Sequence, residues 1–199
     1  MGAGSLNLIT PPVKEPLTLL QTKNHLKIMP DDAIPDDEIE LNILVAREKV
    51  ENEISRALIT QTWEVCFNTF PWSSNRAIAI ELPPLQSVTS IKYIDTDGVQ
   101  QTWDSSLYQV NTKSTPGCIL PVDGEIYPET DFVINAVVIE FVAGYGDEAS
   151  DVPAPLRHAM KLIIGELYVR REEAIVGAAI TTVPLSASNL MSPYQIVYF

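Results

Sequence analysis

The sequence predicts an α+β protein in which two N-terminal helices precede an antiparallel β region and one C-terminal helix follows it. Two observations carry this. Apolar residues recur at spacings of three and four as far as Ala57, alternate with polar ones from Thr62 onward, and return to helical spacing after a Gly-Tyr-Gly corner at Gly144–Gly146. Turn formers punctuate only the middle stretch, as expected for short strands.

The first 14 residues begin with the small, featureless run MGAGS and are expected to form a flexible N-terminus. Residues 15–60 hold the two helices. In PLTLLQTKNHLKI, Thr18 is an N-cap candidate ahead of Leu19, Leu20 and Leu26. The second helix opens at IPDDEIELNILVAREKVENEISRAL, where Pro35 fits the first turn and Asp36, Asp37 and Glu38 place negative charge at the positive end of the helix dipole. Ile39, Ile43, Ala46, Val50, Ile54 and Ala57 form one buried stripe, so Arg47, Glu48, Glu51 and Asn52 are expected to face water.

Residues 61–146 read as the antiparallel β region: TWEVCFNTF, AIAIEL, SVTSIKYI, VQQTW, LYQVN and NAVVIEFVAG are β-branched, aromatic and alternating. Asp97-Gly98 is the clearest hairpin turn, because glycine tolerates positive φ. The stretch containing Pro116, Gly117, Pro121, Gly124 and Pro128 reads as loop. Residues 147–173 form the C-terminal helix, with Asp151 as a cap and Pro153 and Pro155 at its start. Leu156, Ala159 or Met160, Ile163 and Leu167 make one apolar stripe; Ile164 and Tyr168 extend a second, and Gly165 would admit another backbone. So wide an apolar arc suggests simultaneous packing on the N-terminal helices and on a neighbouring subunit. Residues 174–199 are a nearly uncharged tail ending in Ile196, Val197, Tyr198 and Phe199. Left free it would invite aggregation, so it docks either on its own domain or on a partner.

Composition narrows the function. The chain has 199 residues, 46% of them apolar, enough for a core without staples. Its two cysteines, Cys66 and Cys118, have neither metal spacing nor a disulfide framework around them, which points to a reducing cytoplasm. No apolar run reaches the ~20 residues of a membrane-spanning helix. Thirteen basic against 26 acidic side chains give a net charge of −13, which opposes binding to phosphate backbones.

No chemical motif anchors catalysis. His25 and His158 have no GxSxG, HExxH or Cys-His signature beside them and read as surface-helix residues. DTDG at Asp95–Gly98 lacks the later ligands of a calcium loop, and GYG is too short to cradle a phosphate among Asp147, Glu148 and Asp151. The acidic run Pro30–Glu40 reads as helix capping, and the scattered aromatics as packing rather than base stacking. No catalytic, cofactor or metal residues are assigned.

The succession TLLQTKNHLKI, DDEIELNILVAREKVENEIS, LPPLQSVTSIKYIDTDGVQQTWDSSLYQV and VIEFVAGYGDEASDVPAPLRHAMKLIIGELYVRRE resembles the head-tail connector (adaptor) proteins of long-tailed bacteriophages and of phage-derived gene transfer particles. The likeness spans approximately residues 15 to 173, and its most specific parts are LPPLQSVTSIKYIDTDG and AGYGDEASDVPAPLRHAMKLIIGELYVRRE.

The resemblance implies a helical bundle with the β region inserted between its second and third helices. It also implies a structural virion protein at the head-tail junction, assembled in the bacterial host cytoplasm and without enzymatic activity. Such a protein forms a homo-oligomeric ring of about twelve copies below the portal. The ring extends the DNA channel, meets the portal protein and a tail-joining protein, and lets DNA pass without specific binding; no membrane and no cofactor are involved. Met160, Ile164, Tyr168 and Arg171 are then the expected subunit interface. Leu190, Tyr194, Ile196, Tyr198 and Phe199 are the expected docking residues on the portal or a neighbour. The competing reading is a small acidic hydrolase or ligand-binding module with its site near residues 144–151.

Overall fold

The computed structural model describes residues 4–29, 35–70, 76–169 and 183–196, and they form an α+β structure of helices and antiparallel sheets. Two compact units divide the chain: residues 1–13 with 60–145 form a β unit, and residues 14–59 with 146–199 a helical unit.

In the β unit, β1 (Ser5–Thr10), β2 (Gln61–Phe67), β8 (Val137–Ala143), β4 (Leu85–Ile94) and β5 (Gln100–Thr102) pair in that spatial order, every neighbour antiparallel. The central strand β8 alternates strictly: Val137, Ile139, Phe141 and Ala143 are buried, while the residues between them are half-exposed. Register is therefore pinned, because a slip of one residue would turn this whole set outward. A second sheet orders β3 (Ile78–Ile80), β7 (Gly117–Pro121) and β6 (Tyr108–Asn111).

Between the sheets lies an aromatic cluster. Phe70 packs on Tyr93, Trp103 and Tyr127 with ring centroids 5.9, 5.5 and 5.4 Å apart, and Trp103 meets Tyr108 at 4.9 Å. The Tyr127 hydroxyl donates to the carbonyls of Arg76 at 2.9 Å and Ile119 at 3.3 Å. This pairing satisfies a hydroxyl that the cluster would otherwise bury unpaired.

Two strands depart from the sequence reading. The supposedly flexible N-terminus supplies β1, an edge strand paired to β2 from Ser5↔Cys66 to Thr10↔Thr62. The presumed loop around Pro116 supplies β7, the middle strand of the small sheet. Its glycine and proline stand at the two ends of the strand, where neither interrupts the pairing between. The DTDG turn is as expected: Gly98 has φ +76°, and the Asp95 carboxylate accepts from the N–H groups of Asp97 (3.1 Å) and Val99 (2.9 Å). Gly144, at φ +135°, ends β8 and donates its N–H to the Pro84 carbonyl at 2.9 Å.

In the helical unit, α1 (Leu19–Leu26) opens with a reciprocal cap: Gln21 N–H donates to Thr18 Oγ1 and the Gln21 side chain accepts from Thr18 N–H, both at 3.2 Å. α2 (Asp36–Ile54) starts after Pro35, which is its N-cap, and buries the expected Ile39, Ile43, Ala46, Val50 and Ile54. α3 (Ala154–Val169) buries Leu156, Ala159, Met160, Ile163 and Ile164. Asp151 caps a short 3-10 turn at Ala149–Asp151, accepting from Glu148 N–H at 3.0 Å, instead of capping α3 itself. A fourth helix, α4 (Leu185–Met191), was not expected; it buries Ala187 and Met191 and packs on α3.

Candidate interaction surfaces

The residues expected at a subunit interface fall in three places. Met160 and Ile164 are 0% exposed inside one chain, because α3 packs against α1, α2 and α4 of its own unit. The expectation that these two meet a neighbouring copy is corrected: helices of their own chain already cover them, while Leu167 and Tyr168 of the same arc stay half-buried. A Cβ on Gly165 would meet open space among the described residues, so no backbone approaches there. Tyr168 is half-buried near the end of α3, and Arg171 lies outside the described residues.

The tail divides similarly. Leu190, Tyr194 and Ile196 are half-buried, and the segment carrying them is fastened to the end of α2. Arg56 Nε donates to the Tyr194 carbonyl at 2.6 Å, Ile196 N–H to the Ile54 carbonyl at 3.2 Å, and Gln195 Nε2 to Glu53 Oε1 at 3.3 Å. Of the two fates open to the tail, its described part takes docking on its own fold. Tyr198 and Phe199 lie outside the described residues.

Arg47 and Glu51 correct a second expectation. Instead of facing water they are 5% and 9% exposed. Arg47 Nε meets Glu15 Oε2 at 2.9 Å and its Nη1 meets Glu51 Oε2 at 2.6 Å, while Glu51 Oε1 accepts from Leu58 N–H at 2.8 Å. Burial pushes the Glu15 carboxyl above its ordinary value, and the neighbouring Glu51 and Glu48 charges add to that rise against the pull of Arg47. For Arg47, burial works to lower the pKa, and the two carboxylates outweigh it and hold the guanidinium charged. The cluster fastens the segment before α1 and the loop after α2 to α2 itself.

Among the described residues the histidines and the carboxylates near residues 144–151 do not converge on a common site. His25 and His158 are exposed, and partial burial, then the nearby Lys161 and His158 charges, push the His25 pKa down. Near residues 144–151, Asp147, Glu148 and Asp151 are exposed; Glu148 pairs with Lys14, and Asp151 caps its 3-10 turn. Both of these carboxylates are thus engaged by partners within the helical unit. Among the described residues no group of three His, Cys, Asp or Glu side chains is arranged to hold a metal, and no helix is long and apolar enough to cross a membrane. Cys66 is buried in β2, where burial first and Glu64 second push its thiol up to about 11.

The least solvated-looking side chains in sequence are among the most solvated in space. Phe132, Val133 and Ile134 are 93%, 37% and 82% exposed at the loop leading into β8. On the small sheet, a hollow of about 410 Å³ is lined by Ala77, Gln109, Val110, Asn111, Cys118 and Leu120. Both features escaped the sequence reading. The only signal was an apolar run, FVI, standing just ahead of the alternation that marks β8.

No family model matches the chain, and no curated protein matches it. Solved structures do. A chain described as part of the virion of a native gene transfer agent particle aligns with a TM-score of 0.80 and 20% identity, covering 98% of this chain and 96% of the other. A chain from the neck of the empty particle, computed with C6 symmetry, aligns at 0.80 and 20% identity over 98% and 97%. One from the neck of the native particle, computed with C12 symmetry, aligns at 0.76 and 20% identity over the same shares. At this identity the likeness establishes a shared fold across nearly the whole chain.

Proposed function

We propose that this chain is a structural subunit of the neck of a phage-like particle, and that it serves there as the head-tail adaptor. The observation that carries this reading is the end-to-end likeness to particle and neck chains, 98% of this chain against 96–97% of theirs, with the helical and β parts both included. A likeness confined to one unit would speak only for a common module.

The C6 and C12 symmetry of the related necks supports a ring of identical copies, and a ring of head-to-tail contacts needs two different patches on each subunit. The net charge of −13 suits a channel through which DNA slides, since an acidic wall repels phosphates. In this reading the ring lies below the portal, extends the DNA channel and joins the tail, and the role is architectural rather than enzymatic. Tyr168 and Arg171 are proposed neighbours of an adjacent copy. Leu190, Tyr194, Ile196, Tyr198 and Phe199 are proposed docking residues on the portal or a neighbouring copy.

Electron microscopy and light scattering of the purified protein, alone and mixed with portal protein from the same particle, test this. Rings, or a monomer that assembles on the portal, are expected. A chain that stays monomeric and ignores the portal overturns the reading.

A further inference from the structure

Resting on the ring reading above, we propose that the β unit carries both halves of a contact with a second copy of this chain. The loop Phe132–Val133–Ile134 of one copy seats in the hollow lined by Ala77, Gln109, Val110, Asn111, Cys118 and Leu120 of the next.

The loop is built to project. On its N-terminal side Asp131 N–H donates to the Ile94 carbonyl at 3.0 Å, and the Asp131 carboxylate accepts from Phe132 N–H at 2.7 Å. On its C-terminal side Asn135 N–H donates to Asn68 Oδ1 at 3.0 Å, and the Ala136 carbonyl accepts from Ile94 N–H at 2.8 Å. A tip pinned at both ends has little entropy left to lose on binding. It also stands at the end of the sheet opposite to the one where the chain enters and leaves, since Val137 pairs with Phe67 and Ala143 with Gln61. Two large apolar side chains, 93% and 82% exposed on such a tip, form an anchor in search of a hollow.

Charge selects the occupant. Copies of a chain with 26 acidic and 13 basic side chains repel one another, so a self-contact must form where that charge is missing. Residues 132–139 carry no charge at all, and residues 105–122, which supply most of the hollow, carry no carboxylate. Glu129 and Asp131 flank the loop; Arg76 and Lys113 stand one and two positions from residues of the hollow on one side of it, and Asp123 and Glu125 lie beyond Leu120 on the other. Knob and hollow are separate patches on one molecule, the arrangement that propagates head to tail and closes into a ring.

Cys118 makes the contact testable. In assembled Ile134→Cys protein, mild oxidation should join the new thiol to Cys118 of the next copy and give a covalent ladder on a non-reducing gel. The ladder should vanish when Cys118→Ser is added. Separately, Phe132→Asp alters a side chain that touches almost nothing within its own chain. It should leave the melting temperature unchanged and weaken assembly by about tenfold or more. Rings that form normally in Phe132→Asp and show no cross-link in Ile134→Cys overturn this contact and leave the ring reading standing. Wild-type protein that forms no ring, with or without portal, overturns both.

Discussion

In the helical unit, Met160 and Ile164 disappear completely beneath helices of the same chain, whereas in the β unit Phe132 and Ile134 are held out in water by a loop hydrogen-bonded at both ends. Both pairs read as apolar in sequence, and the pair with the stronger helical periodicity is the one that is covered. A broad apolar arc on a helix therefore says how much must be buried without saying by whom. A seven-residue segment of the tail, α4, packs on α3 beside the two N-terminal helices. An apolar loop held out by hydrogen bonds at both ends is more informative, because among the described residues its side chains stay exposed.

The largest expected effect probes the closed side. Ile164→Asp places an unpaired charge where exposure is 0%, and it should cost about 3–5 kcal/mol, enough to unfold the helical unit in a thermal or urea melt followed by circular dichroism. A variant that melted like wild type yet failed to assemble would return Ile164 to an interface and break the contrast.

Arg47→Ala follows at about 3 kcal/mol, since it strands Glu15 and Glu51 without their cation. Its penalty should shrink in acid, where the carboxylates take up protons. In the wild type the sign for Glu15 is already of this kind. A carboxyl whose folded pKa lies above 4.5 binds its proton more tightly folded than unfolded. Its contribution to stability is thus greatest at low pH and declines as pH rises through 4.5 toward the raised value. Urea melts of wild type and variant between acid and neutral pH check both statements.

On the open side, Tyr127→Phe removes the donor that serves the Arg76 and Ile119 carbonyls and should cost about 1 kcal/mol at neutral pH. Burial, the largest cause, pushes the Tyr127 hydroxyl up to about 12. Wild-type stability should therefore fall as pH rises from 10 through about 12, and the variant should lack that part of the decline. Equal alkaline slopes in the two proteins would mean that the aromatic cluster admits solvent. The smallest effect is that of Gly98→Ala. The space around Gly98 is empty, so only its φ of +76° resists a side chain, and about 1 kcal/mol is expected from the shift in melting temperature.

Among the surfaces, those named from sequence and those found in space overlap little. Tyr168, Leu190, Tyr194 and Ile196 keep partial exposure, but Met160 and Ile164 do not. The Phe132 loop has no periodicity that marks it in the sequence. Exposure is a property of the partner segment as much as of the residue itself, and no periodicity records it.

By itself the sequence determined what depends on neighbours along the chain. The Thr18 cap, the buried stripe from Ile39 to Ile54, the positive φ at Gly98 and the alternation of β8 are all local matters of hydrogen bonding and period. Tertiary structure alone decided the rest. It turned the featureless N-terminus into β1 and a Pro/Gly-flanked run into the middle strand β7 by giving each a strand to pair with. It drew Arg47 inward by bringing Glu15, 32 positions away, within 2.9 Å, and it laid on α3 a tail helix too short to announce itself. Each of these outcomes needed a distant segment to arrive, and the free energy of that meeting is written in neither segment separately.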